Sequence, residues 1–243
     1  MAGKLAPPVE PPRRFYKTVS TRQVADGYGV LVDDKPVKTP SGHPLTVPSS
    51  PLADMLMREW DAQATHIEMA KMPATRLAFT TIDFMSGARD AVAAEIGRYA
   101  GADAICYFAD GPEALIERQT RRWGPVIDWA ERTLGVEFVR VTGIRHEEQP
   151  AATLLKLARL AEAGDSFSLA GLAHATALFG SAILAFALQR GELDGPAALD
   201  LSRLDDVFQQ ERWGVDEEAA ERAANMEVEA VMLERWFAAL RGA

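Results

Sequence analysis

The sequence predicts an α+β protein, in which a small antiparallel β-rich N-terminal domain is followed by a larger all-helical C-terminal domain. Short β-prone segments separated by turn residues fill residues 13–47, whereas after residue 50 apolar residues recur at the three- and four-residue spacing of helices. Hydrophobic residues make up 48% of the chain and charged residues 25%, which is typical of a folded globular protein. We expect a disordered proline-rich tail over residues 1–12, the β-rich domain over 13–73 and the helical domain over 74–243.

The β-rich domain is predicted from four short segments whose boundaries carry turn-forming residues. Asp33-Asp34 can supply one turn and Ser41-Gly42 another. The antiparallel sheet that results needs a cover on one face, and a helix capped by Ser50 with Pro51 in its first turn can provide it. The predicted strands are 15–19, 27–32, 37–39 and 44–47.

The helical domain is predicted from apolar periodicity interrupted by glycine and proline. Gly87 is expected to separate two helices, and Gly124-Pro125 to kink or split another. The segment 136–141 alternates as a half-buried strand does, so it joins the sheet or forms a short strand within the helical part. The predicted helices are 74–85, 88–99, 113–134, 149–163, a next one that Gly191 and Gly195-Pro196 delimit and that leads into residues 204–218, and a last one from about residue 216.

The most apolar run of the chain, residues 169–188, is predicted to be a single helix at the centre of the domain. Its length would span a bilayer, but it is rich in alanine, contains His174 and has amphipathic neighbours on both sides, so we expect no membrane insertion. Gly171 and Gly180 would allow close helix approach, and we expect His174 to be a hydrogen-bonded core residue.

Charge and motif content exclude several classes of function. A formal charge of −9 and a pI near 5.0 disfavour nucleic acid, because such binding depends on lysine and arginine neutralising phosphates. The single Cys106 is expected to be a small buried hydrophobe rather than a catalytic thiol. Glycine-rich phosphate loops, a nucleophile elbow and the HExxH metal motif are all absent. The loop 33–48, with Lys35, Lys38 and His43, could hold an anion, although a solvated hairpin tip is the simpler interpretation.

The stretch 204–218 has the most unusual composition. Between Asp205 and Glu229 the sequence contains nine acidic residues and two arginines, so this segment holds most of the net negative charge of the chain. Gly214 can end one helix, and the acidic residues that follow can begin the next. A tryptophan at such a corner is most often a core residue, which is the interpretation favoured for Trp213. An alternative function from these residues is a metal- or acid-dependent hydrolase that uses the carboxylates of Glu211 and Asp216, with Asp205 as a further candidate.

Several motifs, in this order and spacing, resemble one known family. They are RFYK at 14–17, GY at 27–28, VKTP at 37–40, EWDAQ at 59–63, MPATRLA at 72–78, ID at 82–83, DAICY at 103–107 and DVFQQERWGVDEE at 206–218. The family is that of the F-type ATP synthase assembly chaperones that protect the alpha subunit, found in mitochondria and alphaproteobacteria. The resemblance covers nearly all of residues 13–240.

The resemblance implies a non-catalytic protein without cofactor or metal. Its implied partner is the free alpha subunit of the F-type ATP synthase, whose beta-facing surface it would shield until the beta subunit replaces it. Its implied location is the cytoplasm in a bacterium or the mitochondrial matrix in a eukaryote. The partner-binding residues carried over by the resemblance are Glu211, Trp213 and Asp216, with Phe208 and Gln209 in support.

Overall fold

A computed structural model describes residues 10–143, 145–214 and 217–242, and it has the predicted α+β architecture. A small antiparallel sheet lies near the N-terminus, and helices follow it. The sheet has the order β1-β2-β3, and β4 also pairs with β2. Its strands are β1 Val19–Val24, β2 Gly27–Val32, β3 Lys35–Pro36 and β4 Thr46–Val47.

The first strand begins later than predicted. Residues 15–18 do not form a strand, because the Asp33 carboxylate accepts hydrogen bonds from the amides of Lys17 and Thr18, both at 3.0 Å. Val19 instead begins a strand that pairs along the whole length of β2. Asp33 and Asp34 form the predicted turn, with φ angles of 44° and 62°, the left-handed values that a two-residue hairpin turn requires.

Helix α1, Ser50–Asp61, covers the sheet as predicted, but Ser49 rather than Ser50 caps it. The Oγ of Ser49 accepts a hydrogen bond from the Leu52 amide at 3.2 Å. Leu52, Leu56 and Trp60 follow at four-residue spacing and are all buried, so one face of α1 packs into the core.

Helix α2, Pro73–Ala100, is continuous, so the prediction that Gly87 separates two helices was wrong. Gly87 is exposed and lies in the middle of α2. A glycine inside a helix costs only about 1 kcal/mol relative to alanine, and packing of α2 on later helices outweighs this cost. The half-buried Glu59 carboxylate caps the start of α2 by accepting hydrogen bonds from the amides of Ala74 (2.9 Å) and Thr75 (2.7 Å).

Helix α3, Glu113–Ala130, contains Pro125 and is not split there; a π-helical turn over Glu131–Gly135 continues it. The strand predicted at 136–141 is shorter, because side chains take the main-chain donors of its first part. The amide of Val139, for example, donates to Oε1 of Gln149 at 2.8 Å. Only β6, Val141–Thr142, pairs with β5, Tyr107–Phe108, in a parallel pair of its own within the helical part.

The apolar run 169–188 forms two helices rather than one, which corrects the prediction of a single central helix. Helix α5 is Ser166–Phe179 and α6 is Ala182–Arg190, after α4 at Ala151–Glu162. Gly180 ends α5 with a left-handed φ of 63°, and the Oγ of Ser181 caps α6 by accepting from the Leu184 amide at 3.1 Å. Within the residues that the structure describes, no helix combines the length and apolar character needed to cross a membrane.

The last three helices are α7 Gly195–Ser202, α8 Leu204–Trp213 and α9 Glu217–Arg241. Helix α9 packs against α1, α2, α5, α6 and α7, and its buried residues all lie in residues 230–241, which we call its inner half; residues 217–229 are its outer half. Buried residues from Tyr16 to Ala239 belong to one core. The hydroxyl of Ser49 donates to the carbonyl oxygen of Ala239 at 2.9 Å, which ties α1 to the end of α9. The domain boundary at residue 73 stays a prediction.

Candidate functional site

Helix α8 carries the candidate site on a short amphipathic scaffold. Leu204 and Phe208 are one turn apart and both are buried, while Gln209 is exposed on another side of the helix. Asp205 and Asp206 stand in the first turn, where the helix dipole favours negative charge. Gly214, with a φ of 87°, ends the helix as predicted.

Helix α3 holds α8 in place through buried polar side chains. Gln119 is fully buried, and its Nε2 donates to the Asp205 carboxylate at 2.7 Å while its Oε1 accepts from the Ala109 amide at 2.7 Å. Burial raises the pKa of Asp205, and the hydrogen bond from Gln119 opposes that effect. The indole of Trp123 donates to the carbonyl oxygen of Leu201 at 2.9 Å, so α3 fixes the connection from α7 to α8 as well.

Glu211 is half-exposed and makes a bidentate ion pair with Arg118 of α3. The Nη1 and Nη2 atoms of Arg118 donate to the two carboxylate oxygens at 2.9 and 2.8 Å. This pairing lowers the pKa of Glu211, so the residue carries a fixed negative charge at neutral pH. The guanidinium groups of Arg118 and Arg212 lie 5.1 and 4.2 Å from the centre of the Phe208 ring, which is buried beneath them.

Trp213 is 83% exposed, so the prediction that it is a core residue was wrong. It stands in the last turn of α8, directly before Gly214, where neither α3 nor the inner half of α9 covers it. Large exposed aromatic side chains are uncommon on monomeric proteins and are typical of interaction surfaces.

A hollow of about 490 Å³ separates α8 from the outer half of α9. The outer half of α9 is largely exposed and carries the acidic side chains Glu217, Glu218, Glu221 and Glu227. Its lining mixes polar and apolar side chains and includes Arg203, Asp206, Gln209, Gln210, Arg222 and Met226. We call the side of α8 that carries Asp206, Gln209 and Gln210, with Trp213 at its end, together with the outer half of α9, the α8–α9 surface. Asp216 belongs to it by sequence but lies outside the described residues.

The other candidate sites are occupied by structural contacts. The hairpin tip proposed as an anion site holds a carboxylate of the chain itself, because Asp83 of α2 accepts from the Ser41 amide at 3.1 Å and lies 3.0 Å from Nδ1 of His43. Burial raises the pKa of Cys106 well above its usual range, so its thiol is unreactive. His174 is hydrogen-bonded as predicted, to Glu229 at 3.0 Å, but its side chain is 37% exposed rather than part of the core.

A metal centre has no support in the described part of the chain. Over residues 10–143, 145–214 and 217–242, no three His, Cys, Asp or Glu side chains come together as ligands would. The carboxylate of Glu211 faces a guanidinium, and that of Asp205 faces an amide nitrogen. Neither is arranged to share a cation or a proton with the other.

The residues that sequence reasoning missed are Arg118 and Gln119. Gln119 falls at four-residue spacing between the apolar Leu115 and Trp123, and a polar residue at such a position is itself a signal of a buried hydrogen bond. Arg118 gave no such signal, because its partner Glu211 is 93 residues away in the sequence.

The chain is similar to known proteins in sequence and in structure. The sequence profile of the family described as ATP12 chaperone protein matches residues 13–131. The chain is 27% identical over 221 residues to the mitochondrial protein atp12 of Schizosaccharomyces pombe, with 86% of this chain and 76% of that protein covered.

Two solved structures are similar over nearly the whole chain. Atp12 of Paracoccus denitrificans has a TM-score of 0.87 and 39% identity, with 93% of this chain and 97% of that chain covered. The Atu1473 protein of Agrobacterium tumefaciens has a TM-score of 0.88 and 41% identity, with 94% and 86% covered. At these identities the similarity extends beyond the fold to the family.

Proposed function

Because the chain belongs to the ATP12 chaperone family, and so is an ATP synthase assembly chaperone and not an enzyme, we propose that it binds the free alpha subunit of the F-type ATP synthase. It shields the beta-facing surface of that subunit until the beta subunit takes its place. The proposed location is the bacterial cytoplasm, or the mitochondrial matrix if the chain is eukaryotic.

The exposed Trp213 is the observation that supports this proposal most directly. An unassembled subunit exposes an apolar surface that its neighbour will later bury, and a protein that covers this surface needs an aromatic group free to enter it. Trp213 is such a group, since it is 83% exposed and stands at the tip of a helix that α3 holds rigidly.

The remaining partner-binding residues have separate roles in the proposal. Gln209 supplies a polar contact in the hollow beside α9, whereas Glu211 lies on the side of α8 that faces α3 and supplies a negative charge fixed by Arg118. Phe208 is buried, so it supports α8 from below and does not meet the partner. Asp216 stays in the proposal on the resemblance alone.

The charge of the α8–α9 surface suits a temporary complex. Exposed charges at the rim of an interface steer encounter more than they slow dissociation, so acidic residues there favour rapid capture of a basic surface. The energy that holds the complex would come mainly from the apolar anchor, and a single anchor leaves the complex weak enough for the beta subunit to displace the chaperone.

The test is suppression of alpha-subunit aggregation, followed by light scattering, with a direct measurement of binding. Trp213→Ala should weaken binding by about 2 kcal/mol, or about thirtyfold in Kd, as expected for an interface anchor. Its own stability should change by less than about 0.5 kcal/mol, because an exposed side chain makes few contacts.

Phe84→Ala is the matched control, since Phe84 is also an exposed aromatic, 65% accessible, but lies on α2. This variant should bind and protect like the wild type. Failure of the wild type to suppress aggregation at equimolar ratio would refute the proposed function. Equal losses in the two variants would remove the α8–α9 surface from it.

A further inference from the structure

A second hollow, of about 370 Å³, lies on the opposite side of α8 from the first, against α3. Leu204 and Val207 of α8 provide its apolar part. Its charged walls come from three helices and consist of Arg118, Arg121 and Arg122 of α3, Asp200 of α7 and Glu211 of α8. We call it the α3–α8 hollow.

The α3–α8 hollow is positively charged in a chain whose formal charge is −9. Glu211 is already bound by Arg118 through both carboxylate oxygens, so it is not free to neutralise the other arginines. Over the described residues, Arg121 and Arg122 make no ion pair and no side-chain hydrogen bond, and both are exposed. Asp200 offsets one of these two charges at most.

The arrangement of the arginines suits carboxylates. Positions 118, 121 and 122 are three and four residues apart, so their side chains leave neighbouring positions on one side of α3. Each guanidinium presents paired donors in a planar fork that matches the two oxygens of a carboxylate. The apolar contribution from Leu204 and Val207 would pack the aliphatic part of an acidic side chain.

We propose that the α3–α8 hollow receives an acidic segment of the polypeptide that the chaperone holds, with Arg121 and Arg122 binding its carboxylates. This inference rests on the proposed function and adds a second contact region to it. A nucleic-acid phosphate backbone is disfavoured as occupant, because Asp200 and Glu211 stand in the same wall and the chain as a whole is acidic.

The consequence is that α8 separates surfaces of opposite sign. The α8–α9 surface is acidic and attracts basic groups, whereas the α3–α8 hollow is basic and attracts acidic ones. A partner with one basic and one acidic region would bind in a single orientation, because the reversed orientation brings like charges together.

The experiment measures the affinity of the full-length chain for the isolated alpha subunit at low and at high ionic strength. The double variant Arg121→Glu with Arg122→Glu should raise Kd by about tenfold or more at low ionic strength, and the loss should shrink as salt screens the charges. The matched control is Arg132→Glu with Arg159→Glu, which makes the same change in net charge at exposed sites outside the hollow. It should change Kd by no more than about twofold.

A neutral variant and a cross-linking experiment keep the test informative if the charge reversal disturbs folding. Arg121→Gln with Arg122→Gln should retain the wild-type circular dichroism and still weaken binding. A photoreactive amino acid at position 121 should cross-link to a segment of the alpha subunit rich in aspartate and glutamate.

The outcomes separate this inference from the proposed function. If the wild type does not bind the alpha subunit at all, both fall. If Trp213→Ala abolishes binding while the arginine variants bind like the wild type, or like the control variant, the inference alone is overturned. Cross-links confined to basic or purely apolar segments would overturn it as well.

Discussion

Helices α2 and α4 touch backbone to backbone at Gly97, and this contact gives a sharp prediction about stability. A Cβ atom at Gly97 would lie 2.7 Å from the carbonyl oxygen of Leu154 and 3.2 Å from the Cβ of Ala158. Ordinary contacts begin at 3.4 Å, so in Gly97→Ala the two helices must separate by about 0.7 Å. Gly87, on the same helix, has no atom within 4 Å of such a Cβ, which makes Gly87→Ala the natural control.

The magnitude follows from two opposing effects. Replacing glycine by alanine inside a helix stabilises by about 0.5–1 kcal/mol, because glycine loses more conformational freedom on folding. Gly87→Ala should therefore raise the free energy of unfolding by about that amount. Gly97→Ala has the same gain but adds overpacking, which costs about 1–3 kcal/mol. The difference between the two variants isolates the cost of crowding.

Urea denaturation monitored by circular dichroism measures this difference. The midpoint of Gly87→Ala should exceed that of Gly97→Ala by roughly 0.5–1 M. Binding of the alpha subunit by the folded protein should be unchanged in both, since both glycines lie on α2 and neither lines the hollows on the two sides of α8. Equal upward shifts in both variants would show that α2 and α4 are not in close contact at residue 97.

Three further predictions concern charged side chains. The variant Glu211→Lys should remain folded but bind the alpha subunit about tenfold more weakly in an equilibrium binding measurement. Adding Arg118→Glu should restore the thermal stability that is lost with the Arg118 ion pair, but it should not restore the affinity. Recovery of both quantities would show that Glu211 acts only through Arg118. Burial raises the pKa of Asp103 to about 6, although hydrogen bonds from a serine hydroxyl and from backbone amides act to lower it. The contribution of Asp103 to the free energy of unfolding is therefore fully present below its unfolded pKa of 3.8 and is lost as pH rises through about 6. Over this pH range the urea midpoint of the wild type should fall relative to that of Asp103→Asn. Urea midpoints that change in parallel with pH in the two proteins would contradict the raised pKa of Asp103. Although burial raises the pKa of Asp83, hydrogen bonds from the hairpin tip lower it overall to about 2. The contribution of Asp83 to the free energy of unfolding is therefore present above pH 3.8 and is lost as pH falls toward 2. Hydrogen exchange of the Ser41 amide should accelerate in Asp83→Ala, and unchanged protection of this amide would show that Asp83 does not hold the hairpin tip.

The fold class was predictable because it depends on local patterns. Apolar periodicity located α1, α3 and α4 to within a few residues, and the Asp33-Asp34 turn fixed the first hairpin. The errors occurred where tertiary contacts override local preference. Gly87 could not be recognised as a mid-helix residue, because the packing that stabilises α2 comes from helices far along the chain.

At Gly180, between α5 and α6, the sequence did carry a local signal, but that signal allowed two interpretations. Glycine permits both close approach inside a helix and the left-handed conformation that ends one. The left-handed conformation is favoured here by Asp103, which is fully buried. The carboxylate of Asp103 accepts a hydrogen bond at 3.0 Å from the amide of Ile183, 80 residues away in the sequence. A sequence pattern has no access to such a contact.

The choice of residues 206–218 as the candidate site came from the sequence, whereas the arrangement of its side chains could not be predicted from it. The acidic composition and the family motif both indicated residues 206–218. Trp213 is exposed because no other helix among the described residues packs on its side chain at the end of α8, and Glu211 is paired because Arg118 of α3 lies beside it. Both follow from helix packing, so a residue expected in the core became the most exposed large hydrophobic side chain of the described chain.

The contact between Ser49 and Ala239 spans 190 residues and bears on the order in which the molecule is made. A ribosome releases residue 239 long after the sheet and α1 have emerged, so the nascent chain holds an incomplete core during most of its synthesis. Helix α9 closes that core with one half and presents the acidic surface with the other. The α8–α9 surface is therefore complete only once α9 has packed on the core, and a chain interrupted within α9 would leave apolar side chains of that core exposed.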